Sequence, residues 1–126
     1  MTSPRNAIDW FEIPVRNMDR AATFYEALLS TSIRRETING SALGVFSYGE
    51  DATGGCLMAG EKAPAPATDG TLIYLHAGPS LDAVLARVES LGGRITTPKV
   101  TLPGDMGVFA HIADTEGNRV GLHAPV

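Results

Sequence analysis

A single cysteine, Cys56, excludes an intrachain disulfide and a thiolate metal cluster. Cations are also scarce: 10 lysines and arginines stand against 14 acids, for a formal net charge of −4. A nucleic-acid surface needs clustered cations, and the adjacent Arg34 and Arg35 read as a solvated strand start, so no nucleic-acid partner is expected. No apolar run approaches the roughly 20 residues of a membrane span, and the opening MTSPRNAIDW has no signal-peptide core. The expectation is a cytoplasmic protein with no membrane partner. Phosphate loops, nucleophile elbows and zinc-protease motifs are missing as well. What remains is an ordinary globular balance, 44% hydrophobic and 19% charged, which suits one domain over residues 1–126.

The chain reads as a doubled unit. Shifted by half its length, Asn17-Met18-Asp19 falls on Ser80-Leu81-Asp82, Leu28 on Leu91, and Gly54 on Gly117. Asn17 and Ser80 are helix-capping residues, and the acid two places on favours the positive end of the helix dipole. Each half then reads strand, helix, strand, strand, strand. The first module spans residues 8–60: strand Ile8–Val15, helix Met18–Leu29, and strands Ile33–Ile38, Ala42–Tyr48 and Gly55–Ala59. Residues 61–70, EKAPAPATDG, form a linker whose Ala-Pro repeats cannot build a ladder. The second module spans 71–123: strand Thr71–Ala77, helix Leu81–Leu91, and strands Arg94–Val100, Gly107–Ala113 and Asn118–His123. Gly117 in DTEGN suits the left-handed position of a bulged hairpin. The expected fold class is α+β, two βαβββ modules forming a curved eight-stranded mixed sheet around a cleft with the helices outside.

This plan, with the opening NMDRAATFYEALL and the closing DTEGNRVGLH, resembles the vicinal oxygen chelate superfamily. That superfamily includes glyoxalase I, extradiol dioxygenases, and the fosfomycin and bleomycin resistance proteins. The resemblance is strongest to short bacterial glyoxalase-like proteins. It implies a cleft for a small-molecule substrate or ligand, lyase- or isomerase-type activity where there is any, and a homodimer. Metal-binding members carry ligands on the first and last strand of each module. Carried onto this chain, those positions are Trp10, Met58, Ile73 and Gly121. None offers the oxygen or imidazole that a hard or borderline divalent cation needs. No metal and no cofactor is therefore expected, which points to a metal-independent enzyme or a binder of a small, partly apolar compound. The alternatives are a metal-dependent lyase or dioxygenase with displaced ligands, and an antibiotic-sequestering resistance protein.

Strand side chains alternate, so Trp10 and Glu12 share a face. If that face lines a pocket, Trp10 is a flat apolar wall and Glu12 an acceptor, or a base if burial raises its pKa. The plainer reading pairs Glu12 with an arginine at the sheet rim. His111 faces the cleft if the DTEGN hairpin is bulged, and the helix if the loop is one residue longer. His123 keeps the parity of Gly121, whereas His76 shares that of Tyr74 and points away from Ile73. The candidate catalytic residues are Glu12 and His111; the candidate substrate-binding residues are Trp10, Met58, Ile73 and His123. Glu12, His111 and His123 also have the residue types of a two-histidine, one-carboxylate metal site. Cys56 reads as a packed cysteine, and LPGDMG, Leu102–Gly107, as a mobile loop at the mouth.

Overall fold

Both helices begin where the sequence places a capping side chain. The computed structural model describes residues 6–126. Asn17 is extended, with φ −135°, and its side chain accepts from the amide of Arg20 at 3.0 Å. Ser80 does the same for Ala83 at 3.4 Å. Helix α1, Met18–Leu29, buries Met18, Ala21, Ala22, Phe24, Tyr25 and Leu28 and stops at Ser30, which is left-handed. Helix α2 covers Leu81–Val88 and buries Leu81, Val84 and Val88. The expected helix to Leu91 tightens at its end into a 3₁₀ turn, Glu89–Leu91, closed by Gly92 donating to Glu89. Gly92, at φ 101°, supplies the left-handed stop. Among the described residues, no helix is long and apolar enough to cross a membrane.

The strands are β1 Trp10–Pro14, β2 Ile33–Ile38, β3 Ser41–Phe46, β4 Gly54–Ala59, β5 Tyr74–His76, β6 Arg94–Thr101, β7 Val108–Ala113 and β8 Arg119–Ala124. The fold class is α+β, as expected. Hydrogen bonding divides the strands into two four-stranded mixed sheets with matching orders, β1-β4-β3-β2 and β5-β8-β7-β6. In each, the first strand lies parallel to the last and the remaining pairs are antiparallel. One face of each sheet packs on its helix through alternating residues: Ile13 and Leu57 in the first, Leu75, Ala110, Ile112, Val120 and Leu122 in the second.

The two halves match less simply than a fixed shift suggests. Val15 donates to Met58 and Ala77 to His123, so these are the corresponding ends of β1 and β5. From Val15 to its cap Asn17 is two residues; from Ala77 to Ser80 is three. The extra residue changes the phase of β5 by one. Tyr74, not Ile73, therefore lies beside Gly121 in the register, as Glu12 lies beside Cys56. Ile73 packs against the core instead. This corrects the sequence expectation for both Ile73 and Tyr74.

The modules are joined by the closing hairpin of the second. Glu116 Oε1 accepts from the amides of Arg16 and Asn17, each at 2.8 Å, ahead of α1. Arg20 donates to the same carboxylate through Nε at 2.6 Å and Nη2 at 3.0 Å. Asn118 Nδ2 donates to the carbonyl of Pro14 at 2.7 Å, and Tyr25 donates to Asp114 Oδ2 at 2.7 Å. Asp114, Glu116 and Asn118 are buried polar residues, each with partners, as burial requires.

Candidate functional site

The face of each sheet opposite its helix carries the residues singled out from the sequence, Ile73 excepted. On β1, Trp10 is 40% exposed and meets Tyr48 edge-to-face, with ring centroids 5.9 Å apart. Glu12 is exposed on the same face, and among the described residues no hydrogen bond or ion pair reaches it. The arginine partner of the plainer reading is not among its contacts, and the residue is exposed. Met58 shares this face at the far end of the β4 register, beside Pro14. Cys56 is fully buried, and burial pushes its thiol up, with an opposing bond from Trp10 and a further upward push from Glu12. An unactivated, covered thiol fits the packed reading.

The second sheet holds a denser cluster. The DTEGN hairpin is bulged, with the Asp114 amide donating to the Asn118 carbonyl and His111 opposite Gly121, the register that turns His111 to the open face. His111 Nε2 lies 2.8 Å from Tyr74 Oη. Phe109 completes a trio: its centroid is 5.8 Å from Tyr74 and 5.4 Å from His111, and Tyr74 to His111 is 5.6 Å. Gly121 makes the cluster possible. A Cβ there would fall 2.4 Å from the ring of Tyr74, so only glycine lets the phenol lie flat across β8. Burial lowers the pKa of His111 below its ordinary 6.5, and the nearby Arg119 lowers it further. Both effects favour the neutral imidazole.

His123 shares the face but is otherwise engaged. Its Nε2 lies 2.6 Å from the carbonyl of Met106, which can only accept, so the ring donates and pins the 102–107 loop. The loop is tied to β8 at this point, a restraint that the sequence reading of a mobile mouth did not anticipate. Gly107, at φ 90°, allows the approach, since a Cβ there would lie 2.4 Å from the Ala124 carbonyl.

Between β1 and the linker lies a hollow of about 360 Å³, lined in part by Glu12, Pro14, Ile73, Asn118 and Arg119. A second of about 480 Å³ opens near the start of β1, where Phe11, Phe46 and Tyr48 face Leu75 and His76. Sequence reasoning missed Tyr74, Phe109 and Arg119. The signal was present for Tyr74: AGPS is one residue longer than VRN between strand and cap.

A metal of the superfamily's kind does not fit these residues. The matched positions offer an indole, a thioether, an aliphatic side chain packed on the core, and a glycine covered by a phenol ring. Glu12, His111 and His123 do not converge either: no group of three or more histidine, cysteine or acidic residues capable of holding an ion exists among the described residues. His111 is bonded to Tyr74 and His123 to a backbone carbonyl.

Comparison with known proteins accounts for the scaffold. The fold is similar to a glyoxylase/bleomycin resistance protein/dioxygenase domain from Frankia sp. EAN1pec, with a TM-score of 0.72 at 15% identity, covering 96% of this chain and 98% of that one. It is similar to TnmS3, an antibiotic binding protein from Streptomyces sp. CB03234, with a TM-score of 0.70 at 22% identity, covering 99% and 100%. Glyoxalase I from Zea mays gives 0.60 at 20% identity; 92% of this chain matches, spanning 45% of the maize protein, so this chain is about half its length. No curated protein sequence matches. These likenesses establish fold, and the sequence itself carries the lineage. Residues 7–122 match the family model, and the chain belongs to the Glyoxalase/Bleomycin resistance protein/Dioxygenase superfamily.

Proposed function

We propose that this protein binds a small, flat, partly apolar molecule without a metal ion, on the open face carrying Tyr74, Phe109 and His111. The observation that supports this reading most directly is the aromatic trio itself. Three rings in mutual contact, with Tyr74 still 47% exposed, offer stacking surface on a side of the sheet that no helix covers. Trp10 and Glu12 of β1 extend the surface with one more ring and an acceptor. The description of the similar TnmS3 as an antibiotic binding protein agrees with sequestration as a use of this fold. Cytoplasmic residence and a homodimer remain part of the proposal, the latter tested by light scattering in solution.

A second reading has its own observation. Neutral His111, held by Tyr74 through Nε2, is a positioned base, so the same face suits acid–base chemistry on a bound compound. The readings separate by experiment. A planar-ligand panel followed by calorimetry, with mass spectrometry of the recovered compound, should find binding with the ligand unchanged. Phe109→Ala should weaken that binding about tenfold. Conversion of the compound, lost in His111→Gln while binding persists, would establish turnover instead. Binding indifferent to Phe109→Ala would remove the face from consideration.

A further inference from the structure

Arg119 stands apart from the other cations of the chain. Among the described residues only Arg87 and Arg119 are partly buried lysines or arginines. Arg87 donates through Nε and Nη2 to the carbonyl of Leu28. The ion pairs of the described residues are Arg20–Glu116, Arg34–Glu36, Arg35–Asp19 and Lys99–Asp82, and no side-chain hydrogen bond among those residues engages the Arg119 guanidinium. Its backbone amide is fixed by the carbonyl of Ala67, so the position is held while the guanidinium has no partner among the described residues. A partly buried guanidinium gains most from a charge-assisted, two-pronged bond to an oxyanion.

The register says where that cation sits. Arg119 and Gly121 alternate onto the same face of β8, and His111 lies directly opposite Gly121. Arg119 and His111 are therefore diagonal neighbours across β7 and β8, and Gly121 between them projects no side chain. The Tyr74 ring covers Gly121 on the β5 side. Tyr74 Oη lies 2.8 Å from Nε2 of His111 and holds the ring on this face.

We infer that the ligand of this face is a flat conjugated acid, its ring against Tyr74 and Phe109 and its carboxylate or phenolate directed to Arg119. The inference rests on the proposed binding role and adds the charge of the ligand to it. The pKa of His111 is lowered by burial first and by Arg119 second, and the second effect agrees with a cation close to that ring. Glu12 and Asp69 line the hollow that Arg119 also borders, and neither lies within ion-pairing distance of it. They set a limit on the ligand's orientation, since an anion turned toward them would be repelled.

The test compares 2-naphthoate with neutral 2-naphthamide by calorimetry on the full chain. Naphthoate should bind about tenfold more tightly, the worth of one charge-assisted bond. Arg119→Gln should bring the two within about twofold of each other, and Arg119→Lys should restore part of the preference. In the unaltered protein the preference should shrink as salt is raised, which needs no variant to fold. Equal affinity for both compounds, a preference that survives Arg119→Gln, or one insensitive to salt overturns the charge inference and leaves the binding role standing. Failure of both compounds to bind removes the binding role and the inference with it.

Discussion

Arg20 Nε donates to Oε2 of Glu116 across 2.6 Å, joining the first turn of α1 in one module to the closing hairpin of the other. The carboxylate is fully buried while the arginine is half exposed. Two backbone amides at the head of α1 and the hydroxyl of Thr115 also donate to it.

Glu116→Gln should therefore destabilise the fold by about 2–4 kcal/mol, since a buried acceptor loses its charge opposite a guanidinium. Urea denaturation would show it as a lower midpoint at unchanged slope. A shift below about 0.5 kcal/mol would mean that water or neighbouring groups replace the carboxylate.

The same carboxylate sets an acid limit. Burial alone would raise its pKa, but the bonds from Arg20, the Asn17 amide, Thr115 and the Arg16 amide outweigh it and bring it from 4.5 to about 2. A carboxylate depressed on folding stabilises fully above its unfolded pKa, and the contribution fades as pH falls from about 4.5 toward 2. Stability measured across that window should decline in the unaltered protein and run flatter in Glu116→Gln.

His111 gives the opposite chemical case with the same direction in pH. Its pKa is lowered by burial first and by Arg119 second, so folding opposes its protonation and stability fades as pH falls below 6.5. In Arg119→Gln the His111 Cε1 resonance should titrate at a higher pH than in the parent, yet still below 6.5 because burial persists. An unchanged midpoint would mean that the guanidinium lies too far away to act.

Gly121→Ala should cost about 1–3 kcal/mol, because the new methyl meets the Tyr74 ring at 2.4 Å and the phenol must move. The displacement should also break the Tyr74–His111 bond, visible as a changed His111 titration. A variant as stable as the parent, with that titration intact, would show that the ring adjusts freely.

Metal content is simple to check. Protein purified without a metal-affinity tag should carry well under one equivalent of nickel, zinc, iron or manganese, since the donors at the superfamily's positions do not suit these ions. Stoichiometric metal lost in His111→Gln would overturn this and restore metal-dependent chemistry as the leading reading.

Much of the fold was legible because it is written in local chemistry. Asn17 and Ser80 announce their helices, Leu81, Val84 and Val88 repeat at helical spacing, and Gly117 marks the bulged hairpin that turns His111 outward. The open face was harder to read, because strand parity fails on a slip of one residue. The additional residue before Ser80 did that, moving Ile73 to the core and bringing Tyr74 to His111. The Glu116 network lay beyond reach for a different reason. Its partners are about a hundred residues away, and nothing local distinguishes a carboxylate that caps a remote helix from one that faces water.

That distance has a consequence for biosynthesis. Glu116 is synthesised about a hundred residues after the amides of Arg16 and Asn17 that it finally serves. Until then water must solvate the head of α1, and the nascent first half lacks its clamp. The first module is thus completed only once the closing hairpin of the second has been made, and that hairpin acts as its latch.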